Sequence, residues 1–147
     1  MSRIAIASDH GGFKLKVVLV KAMDNWGLAV EDLGTHAETS CDYPDFAHAL
    51  ARGVADRRFD RGVLICGTGI GMSIAANRHP GVRAAVVSDV YSARMAREHN
   101  DANVLCMGAR VVGEGLAMEI LKAWLDAAPD PDPRHARRVA KIELPDR

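Results

Sequence analysis

Short apolar runs alternate along this chain with segments of helical periodicity. The periodic segments repeat their apolar residues every three to four positions, which is typical of a helix that packs against a sheet. Strands that alternate with helices in this way form βα units and a parallel sheet. The sequence therefore predicts five strands, at residues 3–7, 28–32, 62–66, 82–87 and 103–107.

Individual residues indicate where the helices begin and end. Gly27 lies where a C-cap is expected, and Asp42 lies where an N-cap is expected. Ser88 is expected to cap the helix that follows the fourth strand. The helix predicted over residues 112–127 is expected to turn four side chains inward, those of Leu116, Ile120, Trp124 and Ala127.

The length of 147 residues leaves room for one domain. We expect residues 1–127 to form an α/β core, and residues 128–147 to form a proline-rich linker and a basic helical tail. The predicted fold class is α/β. It is a single-domain, Rossmann-like α/β/α sandwich with a five-stranded parallel sheet and a C-terminal helical tail.

Composition argues against two kinds of partner. Nineteen basic and nineteen acidic residues cancel, whereas a protein that coats nucleic acid or an anionic membrane needs a basic excess. No apolar run approaches the ~18 residues that span a bilayer. The chain has three cysteines, Cys41, Cys66 and Cys106, so they cannot all pair in disulfides within one copy. No signal-like segment is expected near its start. We therefore expect free thiols and a cytoplasmic location.

A glycine-rich turn follows the third strand, at the sheet edge where ligands of open α/β folds bind. Its residues are Gly67, Thr68, Gly69, Ile70 and Gly71. Glycines allow close approach of the backbone to a ligand, and N–H groups at the start of the next helix favour an anion. The alternative is a tight turn that binds nothing. Dinucleotide and Walker fingerprints are not matched, because the glycine and lysine that they require are missing.

Cys66 immediately precedes this turn. A thiol at a helix N-terminus is favoured in its thiolate form, which is the reactive one, so Cys66 is the candidate functional thiol. Cys106 is interpreted as a core residue and Cys41 as a loop thiol. Asp9 and His10 end the first strand beside the turn and can orient hydroxyl groups or move protons, although helix capping by Asp9 explains the carboxylate equally well.

His99 and the basic residues of the tail are further candidates. His99 follows the fourth helix and precedes the fifth strand, which places it at the edge opposite Cys66. A catalytic His99 would therefore have to come from a second protomer, and a helix-capping role is the alternative. Arg134 and Arg138 share one helix face and suit phosphate oxygens, unless the tail is only a solvated helix.

Together these motifs resemble the type B ribose-5-phosphate isomerases, which are grouped with the galactose-6-phosphate and allose-6-phosphate isomerases. The resemblance spans nearly the whole chain and keeps the family's order and spacing. It is carried by residues 8–12, 42–44, 65–77, 97–105, 108–110 and 134–138. The departure is the proline-rich segment at residues 128–133.

The resemblance implies a cofactor-free and metal-free aldose–ketose isomerase. Ribose 5-phosphate and ribulose 5-phosphate would interconvert through an enediolate, in the pentose phosphate pathway. The site would lie between the subunits of a homodimer or a dimer of dimers. A hexose 6-phosphate isomerase, a non-catalytic phosphate- or nucleotide-binding module and a dimeric scaffold are the alternatives.

The resemblance also implies a role for each site residue. Cys66 would be the base, with Thr68 assisting, and His99 would open the sugar ring. Ala75 stands where another branch of the family has Glu, so the chain resembles the Cys-dependent branch. The expected sugar contacts are Asp9, His10, Tyr43 and Asn100, with Gly67, Thr68, Gly69, Ile70 and Gly71 around the enediolate oxygen. The expected phosphate ligands are Arg110, Arg134 and Arg138, with His135 nearby.

Overall fold

The three inner strands of the sheet are almost entirely buried. The computed structural model describes residues 1–145, and five strands in it form one parallel sheet. They are β1 (Ile4–Ser8), β2 (Val30–Asp32), β3 (Arg61–Cys66), β4 (Ala84–Val86) and β5 (Val104–Gly108). Their order is β2-β1-β3-β5-β4, and every pairing is parallel. The predicted five-stranded parallel sheet is confirmed.

Helices cover both faces of this sheet. They are α1 (Phe13–Asn25), α2 (Tyr43–Ala55), α3 (Ile70–Ala76), α4 (Val90–Glu98), α5 (Glu114–Asp126) and α6 (Pro133–Ala140), with a short 3-10 turn at His10–Gly12. Alternate residues of β3 face opposite sides, so Val63 packs with α1, α4 and α5, whereas Leu64 packs with α2 and α3. The predicted α/β/α sandwich is confirmed.

Several local predictions were wrong in detail. Asp89, not Ser88, caps α4, and its carboxylate accepts the Ser92 N–H at 2.6 Å. Leu116 is exposed, because the buried face of α5 runs through Ala117, Ile120 and Trp124 and leaves it at the margin. Ala127 is only half-buried, because it follows the last residue of that helix.

The two edge strands, β2 and β4, are shorter than predicted. Each has three residues and one neighbouring strand. Val82 and Val87 are buried on either side of β4 and fit the apolar pattern, but they lie outside the strand itself. The Val87 N–H still donates to the Cys106 carbonyl of β5 at 3.1 Å. The tail helix α6 ends at Ala140, whereas the basic segment was expected to stay helical over residues 134–142. The division of the chain at residue 127 stays a prediction, and residues 146 and 147 lie outside the described residues.

Gly69 packs the turn before α3 onto the end of β5. Its φ is 80°, and a Cβ atom there would lie 2.9 Å from the backbone of Met107. Gly81 has nearly the same φ, 82°, with open space around it. We expect Gly81→Ala to cost about 1 kcal/mol of unfolding free energy from the left-handed conformation alone.

We expect Gly69→Ala to cost roughly 1–3 kcal/mol more than Gly81→Ala, because the methyl group also displaces backbone. Urea unfolding of the two variants beside the unsubstituted chain measures the difference. Equal losses would contradict the close approach of this turn to β5.

Candidate active site

The first group of predicted residues meets at the carboxyl ends of β1, β3 and β5. Asp9 follows β1, and its N–H bonds the Ile65 carbonyl at 3.2 Å. Arg110 follows β5, and its N–H bonds the Gly67 carbonyl at 3.1 Å. Parallel register brings the two loops together, because Cys66 pairs with Gly108. We call this group the thiol cluster; it comprises Asp9, His10, Tyr43, Cys66, Gly67, Thr68, Gly69, Ile70, Gly71 and Arg110.

Cys66 is buried at the last position of β3. Its Sγ accepts the N–H of Gly69 at 3.1 Å, so the glycine turn curls back over the sulfur. The turn thus supplies a backbone N–H donor to the sulfur. The Ile70 N–H bonds Thr68 Oγ1 at 3.2 Å, which leaves the Thr68 side chain at the exposed surface of the turn.

Two further side chains close around the glycine turn. The ring of Tyr43 lies against Gly71, where a Cβ atom would meet it at 2.6 Å. The Arg110 guanidinium lies beside Gly11 and Gly67, 3.8 and 3.3 Å from where their Cβ atoms would be. The glycines therefore make room for an aromatic ring and a cation next to the buried thiol.

Asp9 and His10 are held by hydrogen bonds within the chain. Asp9 is buried, and its Oδ1 accepts the Gly12 N–H at 3.1 Å, so the capping interpretation is confirmed. His10 Nδ1 accepts the Cys41 N–H at 3.2 Å. A neutral His10 therefore carries its proton on Nε2 and presents a donor. Sequence reasoning missed this role of the Cys41 loop, because the contact spans 31 positions.

Cys106 is a structural thiol. It is fully buried in β5, and burial raises the pKa of its thiol well above the ordinary value, with the nearby Cys66 adding to the effect. The Cys106 sulfur therefore stays protonated at any pH at which the protein would work. The interpretation of Cys106 as a core residue is confirmed.

His99 lies at the opposite edge of the sheet, beyond the last turn of α4. Its ring stacks on that of His135, with centroids 4.2 Å apart and planes 6° from parallel. His135 is buried, and its Nε2 lies 3.5 Å from Arg134 Nε. We call His99, Arg134 and His135 the imidazole cluster. Arg138 is exposed on the next turn of α6.

Asn100 is exposed beside this cluster but faces a different cavity. It lines a cavity of about 560 Å³ together with residues of the loop after α3 and of the segment after α6. His99 and His135 line a cavity of about 250 Å³. The structure therefore does not bring Asn100 and His99 to one cavity of the single chain.

The two clusters are a full strand apart. The thiol cluster lies at the last residue of β3. The segment that follows His99 reaches the other end of this strand, where the Asn103 carbonyl accepts the Gly62 N–H. Six residues of β3 correspond to a rise of roughly 16 Å. One copy of the chain does not bring His99 to Cys66.

Comparison with known proteins identifies the family to which the chain belongs. Residues 4–142 match the family model described as Ribose/Galactose Isomerase. The chain belongs to this family. Among its relatives, the ribose-5-phosphate isomerase B of Escherichia coli is 48% identical over 142 residues, which are 97% of this chain and 95% of the relative.

Solved structures of the ribose/galactose isomerase family superpose closely. The ribose-5-phosphate isomerase B of Clostridium thermocellum is 52% identical with a TM-score of 0.93, covering 95% of this chain and 94% of that one. The Mycoplasma genitalium enzyme, solved with bound ribulose 5-phosphate, is 41% identical with a TM-score of 0.91, covering 95% and 93%. The resemblance found in the motifs is confirmed.

The contrast between two cysteines is open to a chemical test. Cys41 is only half-buried, whereas Cys106 is fully buried with a raised pKa. Since alkylation requires a thiolate, we expect iodoacetamide at pH 8 to modify Cys41 readily and to leave Cys106 unmodified in the folded protein. Peptide mass spectrometry measures both sites. Modification in denaturant, which reaches all three cysteines, is the control, and equal native reactivity would contradict the assignment.

Proposed function

We propose that this chain is an aldose–ketose isomerase that interconverts ribose 5-phosphate and ribulose 5-phosphate. The observation that carries the proposal is the buried Cys66, whose Sγ accepts the Gly69 N–H at 3.1 Å in a turn flanked by Arg110. The family match over residues 4–142 supports it, as does a relative solved with ribulose 5-phosphate. No helix within residues 1–145 is long and apolar enough to cross a membrane.

The chemistry requires a base at C2 of the open-chain sugar. The Cys66 thiolate takes the C2 proton, and the electron pair forms the C1–C2 double bond while O1 becomes negatively charged. A proton passes from O2 to O1, for which the Thr68 hydroxyl is available, and the proton held by Cys66 returns to C1. A base must lie within about 3 Å of the carbon, and N–H donors of the turn stabilise the developing oxyanion.

Arginine side chains anchor the phosphate in this scheme. Arg110 belongs to the same edge as Cys66, and its planar guanidinium suits two phosphate oxygens. Arg134 and Arg138 lie on α6, the helix whose His135 stacks on His99. Anchoring the phosphate holds C1 and C2 next to the base, so that part of the binding free energy is used to orient the sugar for reaction.

A second copy of the chain completes the site. Roughly 16 Å of β3 separates the thiol cluster from the imidazole cluster, which is too far for one sugar phosphate to bridge. The outer face of α3, next to the thiol cluster, exposes Ile70 and Ile74 by 55% and 56%. Apolar side chains so exposed are typical of a protein interface. We infer a homodimer, alone or paired, that works in the reducing cytoplasm, where Cys66 stays a free thiol.

Replacing Cys66 tests the base. We expect Cys66→Ala to lower kcat for ribose 5-phosphate by at least about 100-fold and to leave substrate binding intact, because the thiol acts on the proton and not on the phosphate. Cys106→Ala is the matched control, since it removes a buried thiol from the neighbouring strand and should keep activity. Measurement is by isomerisation rate and by calorimetric binding.

Substrate comparison tests the sugar. Ribose 5-phosphate should show the highest kcat/KM when it is compared with allose 6-phosphate and galactose 6-phosphate.

A Cys66→Ala variant that isomerises ribose 5-phosphate at the unsubstituted rate would refute the mechanism. An unsubstituted chain that binds these phosphates without turnover would instead indicate a binding module.

Mixing two inactive variants tests the shared site. We expect Cys66→Ala and His99→Ala chains to regain up to about one quarter of full activity when subunits exchange, because one site in each mixed dimer keeps both residues and half of the dimers are mixed. The regained activity is measured after exchange is verified by mass spectrometry. The absence of any gain would place both residues in one chain's site.

A further inference from the structure

The proline-rich linker between α5 and α6 is the part of the chain that the proposed function leaves unexplained. Pro129, Pro131 and Pro133 each fix φ near −65°, so the linker has little conformational freedom. The Asp130 N–H donates to the Glu98 carbonyl at 2.9 Å. The linker is thereby attached to the last turn of α4, directly before His99.

The Asp130 side chain is held in a defined place by its own neighbours. Its Oδ1 accepts the Asp132 N–H at 2.8 Å, and Asp132 Oδ1 in turn accepts the Arg134 N–H at 3.0 Å at the start of α6. A carboxylate oxygen of Asp130 lies within 4.8 Å of a ring nitrogen of His99 and of one of His135. All three residues line the 250 Å³ cavity.

The stacked imidazoles need a counter-charge when one of them gains a proton. A positive charge on His99 would lie 4.2 Å from a parallel His135 ring, and Arg134 Nε lies 3.5 Å from Nε2 of that ring. Asp101, which lines the same cavity, is already paired with Arg83 and Arg97. Glu98 also lines it, but within residues 1–145 Asp130 is the only acid grouped with both ring nitrogens.

The same three donors do not form a good metal site. The two rings lie within 6° of parallel, so their in-plane lone pairs run side by side. Ligands of a tetrahedral ion must instead converge on one point. The geometry suits a carboxylate beside a stacked pair that carries a proton.

We propose that Asp130 is a positioning residue that electrostatically supports His99 during sugar ring opening. The role rests on the proposed function. In this step the C1–O4 bond of the furanose breaks, the C1–O1 bond becomes a carbonyl, the O1 proton leaves and O4 gains a proton. His99 relays the proton, and Asp130 stabilises the charge that the imidazole carries meanwhile.

Two substrates separate this role from a general structural one. Ribose 5-phosphate is a cyclic hemiacetal and must be opened. Ribulose 5-phosphate is open-chain, because the phosphate blocks the hydroxyl that would close a five-membered ring. Loss of Asp130 should therefore slow isomerisation of ribose 5-phosphate and spare the exchange of the C1 proton of ribulose 5-phosphate with deuterium oxide, which requires only Cys66 and the enediolate.

The test variant is Asp130→Asn. Its amide oxygen still accepts the Asp132 N–H, so the linker keeps its hydrogen bond while the charge is lost. We expect kcat/KM for ribose 5-phosphate to fall about 10-fold or more, with C1 exchange within about 2-fold of the unsubstituted rate. Asp126→Asn is the control, because Asp126 is exposed, pairs with Lys122 and carries the same charge. It should change neither rate.

Two results would contradict the role of Asp130, and a third would contradict the proposed function. Equal loss of both rates in Asp130→Asn would overturn the positioning role and indicate a structural one. An unchanged rate on ribose 5-phosphate would also overturn it. An unsubstituted chain without activity on either sugar would refute the proposed function itself, and the role of Asp130 with it.

Discussion

The parallel register of β3 between β1 and β5 is the constraint on which the rest of the structure depends. It places Cys66 level with Gly108 and next to the loop that begins at Asp9, so three loops meet at one edge. The same register leaves the six-residue length of β3 between that edge and the segment that carries His99. A short strand thus joins two groups of candidate site residues and also keeps them apart.

Much of this arrangement is readable from local sequence. Apolar runs and helical periodicity predict the five strands, because a buried parallel strand needs apolar residues on both faces. The turn at residues 67–71 predicts a ligand edge, because its glycines follow a buried strand and open a helix. The structure adds that Gly67 leaves room for the Arg110 guanidinium and Gly71 for the Tyr43 ring. Family resemblance assigns chemistry to Cys66 and His99. The geometry adds that the Gly69 N–H points at the sulfur.

The rest depends on contacts between distant positions. The order β2-β1-β3-β5-β4 follows from packing and not from any single strand's pattern. The choice between Ser88 and Asp89 as a cap is a one-residue shift between two good capping residues. The bond from Cys41 to His10 and the stack of His99 on His135 each join segments more than thirty positions apart. Periodicity carries no signal for such pairs.

The central claim is that one copy supplies the base and another supplies the ring-opening histidine and the tail arginines. A crystal structure of the protein with bound ribulose 5-phosphate measures this directly. The claim predicts that C1 and C2 of the sugar lie within about 3.5 Å of Cys66 Sγ in one copy, with His99 and Arg134 of a second copy around the same ligand. A ligand whose protein contacts all come from a single copy would contradict it.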